Sequence, residues 1–278
     1  MSSRIIENPI FISVGIICLF ISYFRLIWLI YQKINTYINK KNKNKMIKNN
    51  IIKIMHHPKL NPNSILTHEE NSLSEETYIN FVKTYSKIDK SIDIHIIINT
   101  FGGDLSFTEA ICNCILNHKG SGKIIAYIPY YVYSAGFMIS LTCDKIVMKN
   151  NAVIGPCDAR ISISASDDVS AASLIKSIDY KKERNEPIKE NWLIRYNEAL
   201  MCKERQKNYV NKLIDHYQFD KEFGNVIYEE FFSGKYNHCK TFSASELQKI
   251  GINIEIVEEF DDKIETIIRE FDDEKNHP

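Results

Sequence analysis

The chain has 278 residues, and its 35 Lys and Arg are balanced by 35 Asp and Glu. That balance gives no global reason to expect a nucleic-acid partner, and the length accommodates one medium domain with an appendage. Seven cysteines without a tight spacing pattern argue against a disulfide framework and for a reducing compartment; no metal-ligand spacing and no phosphate-binding glycine loop is evident, so no metal and no cofactor is expected.

A short tail, 1–8, precedes an apolar run at 9–31. A membrane-spanning helix needs about 20 mostly apolar residues, and this run meets that length. Arg25 lies near its C-terminal end, where the side chain can snorkel, and Trp28 and Tyr31 suit the interface. A cleaved leader would want a shorter apolar core and a small-residue cleavage site, so the run reads as a retained transmembrane anchor. Lys33, Lys40, Lys41, Lys43, Lys45 and Lys48 follow it, whereas only Arg4, offset by Glu7, precedes it. The positive-inside rule then places the C-terminal domain in the cytoplasm. Residues 32–50 form a basic linker suited to the anionic face of a lipid bilayer.

The chain becomes globular at 51. Strands are predicted at 51–55, 92–99, 123–132 and 144–148, and helices at 74–87, 106–118 and 134–143, with Ser106 as a cap. Alternating strands and helices, with near-continuous apolar strands, predict an α/β domain with a largely parallel sheet over 51–257. Residues 162–170, rich in Ser and Asp, read as a loop. Helices follow at 169–184, 191–217 and 221–232, with Pro187 between the first two. Ser243 and Glu246 form a capping box for a short helix that stops at Gly251, ahead of a strand at 252–257. The acidic tail, 258–278, reads as an amphipathic helix or as disorder.

Two stretches point to chemistry. In the first, an apolar strand ends at Tyr133, and Ser134, Ala135 and Gly136 open a buried helix. The turn leaves the Ser134 hydroxyl at the start of that helix, where unpaired N–H groups suit a developing oxyanion. A serine here is also an ordinary helix cap. In the second, the β-branched run 94–99 leads into Gly102 and Gly103, a turn whose N–H groups could bind a carbonyl oxygen from the other side. Asp158 caps a turn after Pro156 or orients a base. His238 is a structural histidine, a supporting group or a rival base. The Tyr127, Tyr130, Tyr131 and Tyr133 cluster packs on the sheet or lines an apolar substrate groove.

Four motifs occur in order: Asn-Thr-x-Gly-Gly-Asp at 99–104, Tyr-Ile-Pro-Tyr-Tyr-x-Tyr-Ser-Ala-Gly at 127–136, Cys-Asp-Lys-Ile at 143–146, and Asn-Ala-Val-Ile-Gly-Pro-x-Asp at 151–158. With Ser-Gly-Lys-Tyr-Asn-His at 233–238, they resemble the serine dehydrogenase proteinase family. These are membrane-associated relatives of signal peptide peptidase A in the Clp protease/crotonase superfamily. The resemblance covers most of 51–257. It implies a spiral of ββα units, a serine nucleophile at Ser134, an oxyanion hole from Gly102, Gly103 and the Ala135 N–H, and a homo-oligomer. It often implies a lysine base. Lys181 fits best, with Lys176 and Lys203 as alternatives; no histidine stands where Clp proteases carry theirs, within 155–158. Phe101 replaces the proline that the family usually has before the glycine pair.

Two functions follow from this reading. One is a membrane-anchored serine peptidase with a Ser-Lys dyad acting on a peptide or membrane-protein substrate. The other is a catalytically inactive scaffold or peptide-binding protein at a membrane, motivated by Phe101 and the missing histidine.

Overall fold

The computed structural model describes residues 23–36, 50–56, 72–164 and 167–276. The chain divides into two units, Met1–Lys48 and Asn49–Pro278. In the first, residues 23–36 form a helix, α1, whose side chains are all exposed, Arg25, Trp28 and Tyr31 among them. The start of the expected 9–31 anchor and most of the basic linker lie outside the described residues. Among the described residues no helix is long and apolar enough to cross a membrane.

The second unit is built on a five-stranded parallel sheet in the order β1-β2-β3-β5-β10. Its strands are β1 (Ile51–Met55), β2 (Ile94–Asn99), β3 (Ile124–Ile128), β5 (Lys145–Lys149) and β10 (Ile254–Val257). Every residue of β2 is buried, as a β-branched strand covered on both faces requires. Ile94, Ile96 and Ile98 join the main core, while Ile97 faces a second cluster with Val147. That second face is covered by α9 (Asp262–Asn276), through Ile264 and Ile268 together with the preceding Phe260. The acidic segment is therefore a helix that closes the core, not an appendage to it.

The other face carries α2 (Glu75–Tyr85), α3 (Leu105–Leu116) and α4 (Ala135–Leu141). Ser74 and Thr77 close a capping box at the start of α2. Helix α3 is capped two residues earlier than its serine suggested: Asp104, in extended backbone just ahead of the helix, accepts from the N–H groups of Ser106 and Phe107. Thr108, Ile111, Cys112 and Ile115 form its buried stripe.

The expected strand 123–132 divides. Its end becomes β4 (Tyr131–Val132), which leaves the main sheet for a three-stranded one with β6 (Val153–Ile154) and β9 (Phe242–Ser243). The Ser/Asp-rich 162–170 stretch contributes to a hairpin, β7 (Arg160–Ser162) with β8 (Asp168–Ser170), held by Arg160 and Asp168. Helices α5 (Ala171–Glu183) and α6 (Glu190–Tyr217) pair around a separate small core of Leu174, Ile178 and Ala199. Helix α7 (Lys221–Ile227) passes into a π-helical segment, Tyr228–Phe232, and α8 (Ala244–Ile250) carries the expected capping box and ends at Gly251 with φ of 102°.

Candidate active site

Helix α4 has no exposed residue, so its carbonyl groups need partners from the protein itself. Tyr209 and Thr142 both donate to the Met138 carbonyl, and Tyr217 donates to the Thr142 carbonyl at 2.7 Å. Burial pushes the Tyr209 phenol well up, which keeps it a neutral donor. Helix α4 is thus anchored at its far end by α6.

At its near end stands Ser134, with φ of 51° and ψ of −127°. For a residue with a Cβ this is a costly conformation, of order 1–3 kcal/mol, and it persists only where the surroundings hold it. They do so through two bonds to its peptide groups: the Ser134 N–H donates to the Pro156 carbonyl at 3.1 Å, and the Cys157 thiol donates to the Ser134 carbonyl at 2.9 Å. Burial raises the Cys157 thiol well above its ordinary range, so it serves as a donor and not as a thiolate nucleophile. The Ser134 side chain caps nothing, contrary to the ordinary reading of a serine at a helix start.

The glycine turn packs directly on this serine. A Cβ on Gly102 would lie 2.8 Å from Ser134 Cβ and 3.1 Å from the Ala135 nitrogen. The Gly102 N–H is taken by Thr100 Oγ1 at 3.1 Å. The turn is held from behind by Leu73, whose N–H donates to Gly102 and whose carbonyl accepts from Asp104. The N–H groups of Gly103 and Ala135 donate to no acceptor among the described residues. Of the three expected oxyanion-hole residues, Gly103 and Ala135 therefore offer donors, while Gly102 supplies the close approach and the φ of 106°.

Thr100 is the residue between the two stretches. Its N–H donates to Tyr131, its carbonyl accepts from Tyr133, and its hydroxyl meets His56 Nδ1 at 2.8 Å as well as the Gly102 N–H. Burial lowers the His56 pKa, which favours the neutral ring that can accept from this hydroxyl. Sequence reading passed over Thr100 and His56, although the threonine stands inside the quoted Asn-Thr-x-Gly-Gly motif.

Asp158 and His238 form a pair. His238 Nδ1 lies 2.6 Å from Asp158 Oδ1, with the Asp158 side chain 2% exposed and that of His238 25% exposed. A carboxylate on Nδ1 keeps a proton there and leaves Nε2 as the basic nitrogen. The three-stranded sheet relates this pair to the serine through strand direction. Strand β4 runs parallel to β6, and β9 runs antiparallel to it, with Ile154 opposite Phe242. Ser134 lies just past β4, Asp158 just past β6, and His238 just ahead of β9, so all three emerge at one end of the sheet. Arg160 and Asp168 flank the pair; Arg160 holds the Asp168 carboxyl below its usual range, and His238 adds to this.

Lys181 lies elsewhere in character. It sits on α5 with its side chain 48% exposed and Glu186 at 4.0 Å. Lys176 is also exposed on α5, and Lys203 is half-buried on α6. A neutral lysine base requires burial, which Lys181 does not have.

A mainly parallel α/β domain that presents a strained serine to two unengaged N–H groups has the architecture of a Clp-type serine hydrolase. The chain belongs to the ClpP-like SDH-type serine proteinase family, whose model matches residues 18–271. Two uncharacterised proteins of Methanocaldococcus jannaschii are similar, each 28% identical, over 165 and 170 residues. The matches take in 59% and 60% of this chain but 53% and 54% of those proteins, so the chain spans about half the length of the curated relatives it matches. Among solved structures, the membrane-bound stomatin-specific protease 1510-N is similar with 17% identity and a TM-score of 0.46, over 68% of this chain and 76% of that one. ClpP1 from Listeria monocytogenes is similar with 15% identity and a TM-score of 0.47, over 78% and 96%.

Proposed function

We propose that this chain is a serine peptidase in which Ser134 is the nucleophile and His238, held by Asp158, is its general base. The observation that carries this reading is that strand direction brings a strained serine and an Asp–His pair, its aspartate buried, to one end of the small sheet. Ser134 Oγ attacks the peptide carbonyl as His238 Nε2 takes its proton. The developing oxyanion accepts from the N–H groups of Gly103 and Ala135. His238 then returns the proton to the departing amine, leaving an acyl-Ser134 that water hydrolyses by the same steps in reverse roles. Asp158 stabilises the imidazolium while it exists. In this reading the base role passes from Lys181 to His238.

The membrane tether remains part of the proposal. It rests on the 9–31 run and the lysines that follow it, which also favour a cytoplasmic peptidase domain. The substrate would be a peptide or a membrane-protein segment, and the working form a homo-oligomer.

Fluorophosphonate labelling with site mapping by mass spectrometry tests the chemistry. Labelling is expected at Ser134, absent in Ser134→Ala, slowed roughly 10²–10⁴-fold in His238→Ala, and retained in Lys181→Ala. Loss of labelling in Lys181→Ala with retention in His238→Ala would return the base to the lysine. The inactive-scaffold reading draws on one observation: Ser134 Oγ and His238 Nε2 share no hydrogen bond among the described residues. A folded protein that takes no label would establish it.

A further inference from the structure

Helix α6 carries a glutamine in its buried stripe. Ala199, Tyr209, Val210 and Leu213 pack inward, and Gln206 stands among them at 3% exposure. A buried amide needs a hydrogen-bond partner. Its Nε2 donates to the Cys157 carbonyl. A carbonyl only accepts, so the amide nitrogen is the atom that faces it. An apolar residue at this position would fill the space but supply no donor.

Cys157 is itself buried, and each of its polar groups is engaged. Its N–H donates to the Phe231 carbonyl at 2.7 Å, its carbonyl accepts from Gln206, and its thiol donates to the Ser134 carbonyl at 2.9 Å. The peptide whose oxygen Gln206 holds is the one that carries Asp158. The Asp158 side chain has little else to fix it. Its Oδ1 meets His238 Nδ1, and its Oδ2 has no hydrogen-bond partner among the described residues. The main chain behind Asp158 therefore sets where its carboxylate stands. Gln206 and Tyr209, at i and i+3, share one face of α6, and Tyr209 donates to the Met138 carbonyl of α4. One helix face thus grips both the peptide of the aspartate and the helix that Ser134 opens.

We infer that Gln206 is a positioning residue for the reaction: by holding the Cys157 carbonyl it fixes Asp158, and through Asp158 the ring of His238. Gln206 touches no reacting atom. Without its donor the Cys157 carbonyl is buried and unpaired, and the peptide between Cys157 and Asp158 is free to turn toward another partner. The carboxylate then leaves its place against Nδ1, and Nε2 loses the tautomer and the aim that a base requires. The inference rests on the proposed Asp158–His238 base, yet the pair can be observed without turnover.

The test uses the full chain in detergent micelles and Gln206→Met, which keeps the length of the side chain and removes the donor. Phosphonate labelling at Ser134 is expected to slow roughly 10–100-fold. In the His238→Ala background the same change should cost less than about twofold, because the route through the ring is already cut. An effect of equal size in both backgrounds overturns the assignment. Histidine 15N spectra, taken where the ring is neutral, supply a readout that needs no turnover. His238, identified by the signal missing in His238→Gln, should hold its proton on Nδ1 in wild type and shift it toward Nε2 in Gln206→Met. Tyr209→Phe, which removes a buried donor from the same helix face, should leave the Nδ1 tautomer in place; its loss in both variants would mean general loosening and overturn the inference. If Gln206→Met does not fold, Gln206→Asn, whose amide stops one methylene short, carries the same measurements. A tautomer that depends on Gln206 supports the inference even where no protein takes label, in which case only the peptidase reading fails. An unchanged tautomer in Gln206→Met overturns it.

Discussion

The close packing of the two stretches at Thr100 gives a sharp quantitative test. Gly136 sits in the first turn of α4, where a Cβ would lie 2.4 Å from Thr100 Cγ2 and 3.1 Å from Val132 Cγ1. Carbon atoms in contact prefer about 3.5–4.0 Å, so the methyl of Thr100 must move. In an unobstructed helix Gly→Ala would gain up to about 1 kcal/mol. Overpacking in a core this tight costs about 1–3 kcal/mol, so Gly136→Ala should be destabilised by a net amount of up to about 2 kcal/mol. Thr100→Ser removes the obstructing methyl while keeping the hydroxyl that accepts from Gly102, at a cost near 1 kcal/mol for the lost burial. The double variant should then recover about 1–2 kcal/mol relative to the sum of the single changes. Urea unfolding of the four proteins measures the cycle, and the rate of phosphonate labelling follows the geometry. Gly136→Ala should label slowly because a displaced Thr100 shifts the oxyanion turn, and the double variant should regain much of that rate. Additivity within about 0.5 kcal/mol would refute the argument, since the two residues would then not press on each other.

Two other outcomes are expected. Gly155→Ala should destabilise the domain by about 1–3 kcal/mol and slow labelling, because the added Cβ would displace the Tyr133 ring next to Ser134; an unchanged unfolding midpoint would contradict this. Glu246 caps α8, where the Ser243 N–H and hydroxyl, with Lys240 behind them, hold its carboxyl at about 2 instead of 4.5. A depressed folded-state value contributes stability above the unfolded pKa that is lost as pH falls from 4.5 toward 2, so the melting-temperature gap between wild type and Glu246→Gln should be present at pH 7 and close across that window. A gap that is constant with pH would show that the carboxylate charge is not what caps the helix.

The local parts of the site were legible because their signals are local. A glycine pair after a β-branched strand, and a Ser-Ala-Gly step between an apolar strand and a buried helix, are backbone requirements written into adjacent residues, and the structure places Gly102 against Ser134 as those requirements imply. The parallel α/β core and the capping box of α8 follow from hydrophobic period and cap chemistry in the same way. The Ser106 cap failed by a small margin, because Ser106 and Asp104 are both good caps and only the geometry of the turn chose between them.

What the sequence determined by itself was the family and the local backbone of two turns, at Ser134 and at Gly102–Gly103, each encoded within a few consecutive residues. The tertiary structure decided which groups surround them. Asp158 and His238 are 80 residues apart, and no periodicity links them; the antiparallel pairing of β9 with β6 makes them neighbours. Lysines on α5 and α6 look alike in sequence because a charged helix residue carries no mark of its burial, and packing alone left Lys181 exposed beside Glu186. The acidic segment likewise became part of the core only when Ile264 and Ile268 met the face of the sheet that holds Ile97 and Val147. Local chemistry sets what a turn can do, whereas long-range strand pairing sets what it does it with.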